Sequence, residues 1–106
     1  MIPAPLRKFV FDLIGATNES IISWSEGASD TYFCNHKGYS LYLNYHFNED
    51  IEYGAYFMTI TQGGRDTRFS VSEIEGTEEI LLMRNLYQAA MLSASGLEDI
   101  GKDFFK

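Results

Sequence analysis

Three side chains in this sequence carry the elements of nucleophilic or metal chemistry: Cys34, His36 and His46. An imidazole that takes the proton of a thiol makes a nucleophile, and thiolate and imidazole are both zinc ligands. Cys34 and His36 stand at i and i+2, which on a strand puts them on one face. With Lys37-Gly38 as a two-residue turn, Cys34 pairs with Leu41 and His36 with Tyr39. His46 then lies several residues up the next strand, far beyond the ~2 Å reach that ligands of one metal share. The same separation denies Cys34 a base. The reading is a buried thiol and rim histidines, with no metal and no cofactor.

Carboxylates are the other reactive groups present in quantity. Glu49 with Glu52, and Glu73 with Glu75, are spaced as pairs, but each pair falls in a polar loop. A loop carboxyl stays solvated at its ordinary acidity, which does not suit general acid–base work. Gly63-Gly64-Arg65 has the composition of a phosphate cradle, yet such cradles open a helix. Here the glycines separate two strand-like runs and read as a hairpin turn. The expectation is a protein that is not an enzyme.

The elements that position these groups follow from periodicity. Leu6, Phe9, Val10 and Leu13 recur at i, i+3, i+4 and i+7, the stripe of a helix over about residues 4 to 15, with Pro5 in its first turn and Gly15 as its stop. The charged pair Arg7-Lys8 and the apolar stretch after it resemble a signal peptide, but Asp12 interrupts the stretch and no small-x-small cleavage site follows. Five strands are expected next: Ile21 to Ser25, Thr31 to Asn35, Tyr39 to Phe47, Tyr53 to Thr61 and Thr67 to Ser72. The third alternates Tyr39, Leu41, Leu43, Tyr45 and Phe47 with polar residues, and the fourth is apolar on both parities. Thr77 caps a last helix with Glu78 and Glu79 in its first turn. Its stripe is Ile80, Met83, Tyr87, Ala90 and Ala94, and Gly96 ends it. Leu97, Ile100 and Phe104 predict one more amphipathic turn.

The predicted architecture is a single α+β domain over residues 1–106. An N-terminal helix precedes a five-stranded antiparallel meander and a C-terminal helix, both helices covering one face of the sheet. The expected core is Leu6, Phe9, Leu13, Leu41, Leu43, Phe47, Phe57, Phe69, Val71, Ile80, Met83, Tyr87 and Ala90. If the helices cover the odd-numbered side, Tyr42, His46, Tyr56 and Met58 stand together on the open face as a protein-binding patch.

Composition sets the class of partner. The 106 residues include 15 acidic and 8 basic, for a net charge of -7. A pI near 4.6 argues against direct nucleic-acid binding, which needs a basic face. One cysteine excludes a disulfide scaffold, and no apolar run approaches the ~18 residues of a membrane span. The expected location is the cytoplasm. In a meander, one end of the sheet collects Glu26, Asp30, Glu49, Asp50, Glu52, Glu73 and Glu75, joined by Glu78 and Glu79, while Lys37, Arg65 and Arg68 gather at the other. The function expected from that layout is a small inhibitor, of an immunity or phage anti-defence type, presenting carboxylates to the basic surface of a nucleic-acid-handling protein. The alternatives are a chaperone or adaptor using the open sheet face, and a small-ligand binder or enzyme with a pocket between helices and sheet. A homodimer through the open face or an edge strand, such as the uncharged Ile21-Ile22-Trp24 run, is also expected.

Overall fold

A computed structural model of the chain describes residues 1–76, 78–96 and 104. A 3₁₀ turn, Ala4–Leu6, runs directly into α1 (Arg7–Asn18). Five strands follow, β1 (Ser25–Glu26), β2 (Thr31–His36), β3 (Tyr39–Asn48), β4 (Tyr53–Gln62) and β5 (Arg65–Ser72). A second 3₁₀ turn, Glu73–Glu75, leads to α2 (Glu78–Ser95). The strands lie in sequence order, each antiparallel to the next, in one open sheet. This is the expected α+β fold. The N-cap expected at Thr77 and the further turn through Leu97 and Ile100 lie outside the described residues.

Two tight turns set the register. Lys37 and Gly38 have φ of 50° and 82°, and Gly63 and Gly64 have 55° and 80°. Left-handed values at both central residues give a turn whose twist matches that of the flanking strands. The β3–β4 connection is longer, and Asn48 pairs with Tyr53 across it.

Both helices lie on one face. Arg7 meets Glu79 near the two helix starts, and Ile14 and Asn18 border Gln88 and Leu92 further along, so the helices run side by side in the same direction. Beneath them one apolar cluster joins Val10, Leu13, Met83 and Leu86 to Leu41, Leu43, Met58 and Val71.

Four expectations are corrected. First, α1 continues through Gly15 to Asn18, because Thr17 is buried and its hydroxyl accepts from the Trp24 indole N–H at 3.0 Å. Second, the strand expected over Ile21 to Ser25 shrinks to Ser25–Glu26. The Trp24 amide donates to Ser93 Oγ of α2 at 2.9 Å, so this segment is pinned to the helices rather than to the sheet ladder. Trp24 is therefore in the core, and the uncharged edge strand does not exist. Third, β4 presents its even-numbered residues to the helices: Tyr45 pairs with Tyr56 and Leu43 with Met58. Tyr56 and Met58 are 6% and 1% exposed, so neither belongs to the open face. Fourth, Phe57 consequently leaves the core for the open face, at 41% exposure. Phe47, opposite Gly54 on the way to the hairpin tip, is 49% exposed, and Phe9 is only partly covered.

Candidate functional site

The meander brings the β1–β2 loop, the β3–β4 turn and the end of β5 to the same end of the sheet. Of the seven carboxylates expected to converge there, two are occupied with structure. Glu73 Oε1 accepts from Gly54 N at 2.6 Å and from Tyr45 Oη at 2.9 Å, tying the exit of β5 back across the sheet. Glu75 closes a capping box with Ser72, accepting from its amide at 3.0 Å, and stands 3.4 Å from the Met1 amino group. Glu26, Asp30, Glu49, Asp50 and Glu52 are exposed, and among the described residues no cation lies within ion-pair distance of them.

The neighbouring acids have other duties. Glu79 is buried and accepts from Ile2 N at 2.9 Å and Arg7 Nη2 at 2.5 Å. The Ile2 amide, then Arg7, hold its carboxyl below its ordinary acidity range despite burial. Lys8 bonds Asp12 one turn along α1. Arg7, Lys8 and the Met1 amino group are thus paired with Glu79, Asp12 and Glu75 rather than with the five exposed loop carboxylates.

Beside this end four tyrosine rings pack under α2. Tyr32 meets Tyr87 edge-on with centroids 5.3 Å apart, Tyr56 meets Tyr87 at 5.4 Å, and Tyr45 meets Tyr56 at 4.9 Å. The Tyr87 hydroxyl donates to the Asp30 carbonyl at 2.8 Å, fixing the β1–β2 loop against the helix. Burial pushes Tyr45 and Tyr87 up to about 12, with the Glu73 hydrogen bond adding to the first. Burial also raises Tyr32, and the charges of Glu26 and Asp30 add to it. The β1–β2 loop, which carries Glu26 and Asp30, is therefore anchored to this aromatic cluster.

The open face holds Tyr42 and His46, as expected, but its other members differ. Register places Phe33 beside Tyr42, Tyr42 beside Thr59, and Thr59 beside Arg68, with Phe57 in the next row between Asn44 and Ser70. Phe33 and Tyr42 rings lie 6.4 Å apart, and Tyr42 is 46% exposed. Phe33 and Phe57 replace Tyr56 and Met58 in this patch. The signal was present in loop length: from β2 to β5 each hairpin joins partners whose numbers sum to an odd total, so facing parity alternates along these four strands.

The sheet also separates the candidate nucleophile from its base. Cys34 pairs with Leu41 on the helix-covered side and is buried, which pushes its thiol up, whereas His46 projects from the open side. Among the described residues no group of three His, Cys, Asp or Glu side chains is placed to hold a metal ion. No helix among them is long and apolar enough to cross a membrane. Set against protein-family models, curated proteins and solved structures, the chain gives no match.

Proposed function

We propose that this chain is a non-enzymatic protein-binding module that presents an acidic end to a basic partner surface, as an inhibitor, an immunity protein or a phage anti-defence protein would. The observation that supports this reading best is that Glu26, Asp30, Glu49, Asp50 and Glu52, on two loops toward the same end of the sheet, are all exposed and, among the described residues, none is paired. Carboxylates already desolvated by a partner within the chain would contribute little to a new contact. Free ones steer association, and those of the anchored β1–β2 loop lose little conformational freedom on docking. The partner class is a cytoplasmic nucleic-acid-handling protein, because its phosphate-binding surface supplies the complementary charge. Capture of partners from a host lysate at low and high salt tests this reading. Retention of a basic nucleic-acid-binding protein, lost as salt rises and lost with the loop carboxylates neutralised, is the supporting result; retention indifferent to both overturns it.

A second reading rests on Phe33, Tyr42 and Phe57. Three aromatics on an uncovered sheet face, with hydroxyl and amide side chains around them, have the composition of a contact patch. Through it the protein would self-associate or serve as an adaptor, and that binding would tolerate salt.

A further inference from the structure

Opposite the acidic end, between α1 and the sheet, lies a pocket of about 260 Å³. Leu6, Phe9 and Leu13 form its helical wall, and Leu41 and Ile60, a cross-strand pair, form its floor. One row further out on the same side of the sheet, register aligns four polar residues: His36 opposite Tyr39, Tyr39 opposite Gln62, and Gln62 opposite Arg65. His36 and Tyr39 reach the pocket itself. Arg65 stands two strand spacings from Tyr39, about 10 Å, within the span of a guanidinium side chain and a bound headgroup. Lys37 follows His36 in the turn. Among the described residues, neither Arg65 nor Lys37 has a carboxylate within ion-pair distance.

The arrangement is an apolar pocket edged by His36 and Tyr39, with Lys37 in the adjoining turn and Arg65 further along the same row, in a chain of net charge -7. We propose that this pocket binds a small amphiphilic monocarboxylic acid, its chain or ring on Leu41 and Ile60 and its carboxylate among His36, Tyr39 and Arg65. The charge of the rim selects the head. An anion is attracted to Lys37 and Arg65 and can accept hydrogen bonds from the row, whereas the row itself offers an ammonium head no carboxylate. The volume selects the tail. A cavity of ~150 Å³ with such walls admits benzene, so this one has room for a chain of about eight carbons. The site lies at the far end of the sheet from the acidic loops and stands independently of the function proposed for them.

Titration of the ¹⁵N-labelled protein with octanoate, hexanoate and octan-1-ol, followed by amide shifts, tests the proposal. Saturable shifts confined to the strands and helix around Leu41, Ile60 and Leu13 are expected with octanoate. Hexanoate should bind roughly tenfold more weakly, having two fewer methylenes to bury. Octan-1-ol should bind more weakly than octanoate, and His36→Gln with Arg65→Gln should remove that preference while leaving octan-1-ol unaffected. Both of these side chains are outside the core, so the double variant keeps the fold. Equal binding of acid and alcohol, or an unchanged preference in the double variant, overturns the carboxylate assignment. The absence of saturable shifts with any of the three overturns the site.

Discussion

The Tyr45 hydroxyl donates to Glu73 Oε1, the oxygen that also accepts from Gly54 N, so one carboxylate clasps two adjacent strands at the base of the acidic end. Tyr45 can reach it only because residue 54 has no side chain. A Cβ there would sit 2.3 Å from the tyrosine oxygen and 2.5 Å from Cζ.

Gly54→Ala is therefore expected to expel the Tyr45 ring from its place against Tyr56 and to destabilise the protein by about 1–3 kcal/mol, the usual cost of forced overpacking. In a Tyr45→Ala background the same substitution should cost little. Urea melts of the four proteins of this cycle give the coupling directly. Additive effects would show that the close approach is not what requires glycine.

The two most strongly shifted tyrosines, Tyr45 and Tyr87, make stability fall at high pH. In the native chain Tyr45 and Tyr87 hold their protons up to about 12, against an ordinary value of 10.0. A folded-state value raised in this way contributes fully below pH 10, where the unfolded chain is protonated as well. As pH rises from about 10 to about 12 the unfolded chain releases protons that the native chain retains, and that stability is lost. The urea midpoint should stay flat up to about pH 9.5 and then decline, more shallowly in Tyr45→Phe than in wild type. An identical decline in both proteins would remove Tyr45 from the account.

Much of this fold is legible in the sequence because local chemistry and tertiary packing agree over most of the chain. The alternation from Tyr39 to Phe47, the glycines at 63 and 64 and the stripe from Ile80 to Ala90 each define an element that the structure contains. Disagreement arises where a distant partner decides. Trp24 reads as a strand residue, but its two N–H groups are taken by Thr17 and Ser93, so the β1 segment belongs mostly to the helical layer. Glu73 reads as a solvated loop acid, and only the folded sheet reveals Tyr45 and Gly54 as its donors. In β4, apolar on both parities, the side that faces the helices depends on counting across the β3–β4 loop rather than on the strand itself.

That parity is open to a direct test. Met58→Ala and Leu43→Ala should each cost ~2–5 kcal/mol as fully buried positions. Phe57→Ala, one residue from Met58 but on the open face, should cost less than ~1 kcal/mol. A larger loss at Phe57 than at Met58 would reverse the assignment of faces.

Self-association should use the open face rather than the shortened β1 edge. The rows containing Phe33, Tyr42 and Phe57 carry no carboxylate, so two copies of this acidic chain can approach there with least repulsion. Sedimentation equilibrium is expected to show a dimer at high micromolar concentration and a 12.1 kDa monomer for Tyr42→Glu with Phe57→Glu. A wild-type protein that remains monomeric throughout rules this out.

The acidic end gives the prediction closest to function. Glu49, Asp50 and Glu52 lie in a turn closed by the Glu52 amide donating to the Asn48 carbonyl at 2.9 Å, and none of their carboxylates takes part in that closure. Glu49→Gln, Asp50→Asn and Glu52→Gln together should leave the urea midpoint nearly unchanged, since exposed and unpaired charges contribute little to stability. Their effect should fall on association with a basic partner: a slower on-rate and a flatter dependence on salt, because fewer charges steer the encounter. Lys37→Gln with Arg65→Gln, at the far end of the sheet, changes the net charge in the opposite direction and should leave the on-rate unchanged or raise it slightly. Stopped-flow association at several ionic strengths compares the two variants. If the far-end pair abolishes binding while the turn variant associates like wild type, the carboxylates are only the solvated loops of a meander and the proposed function fails.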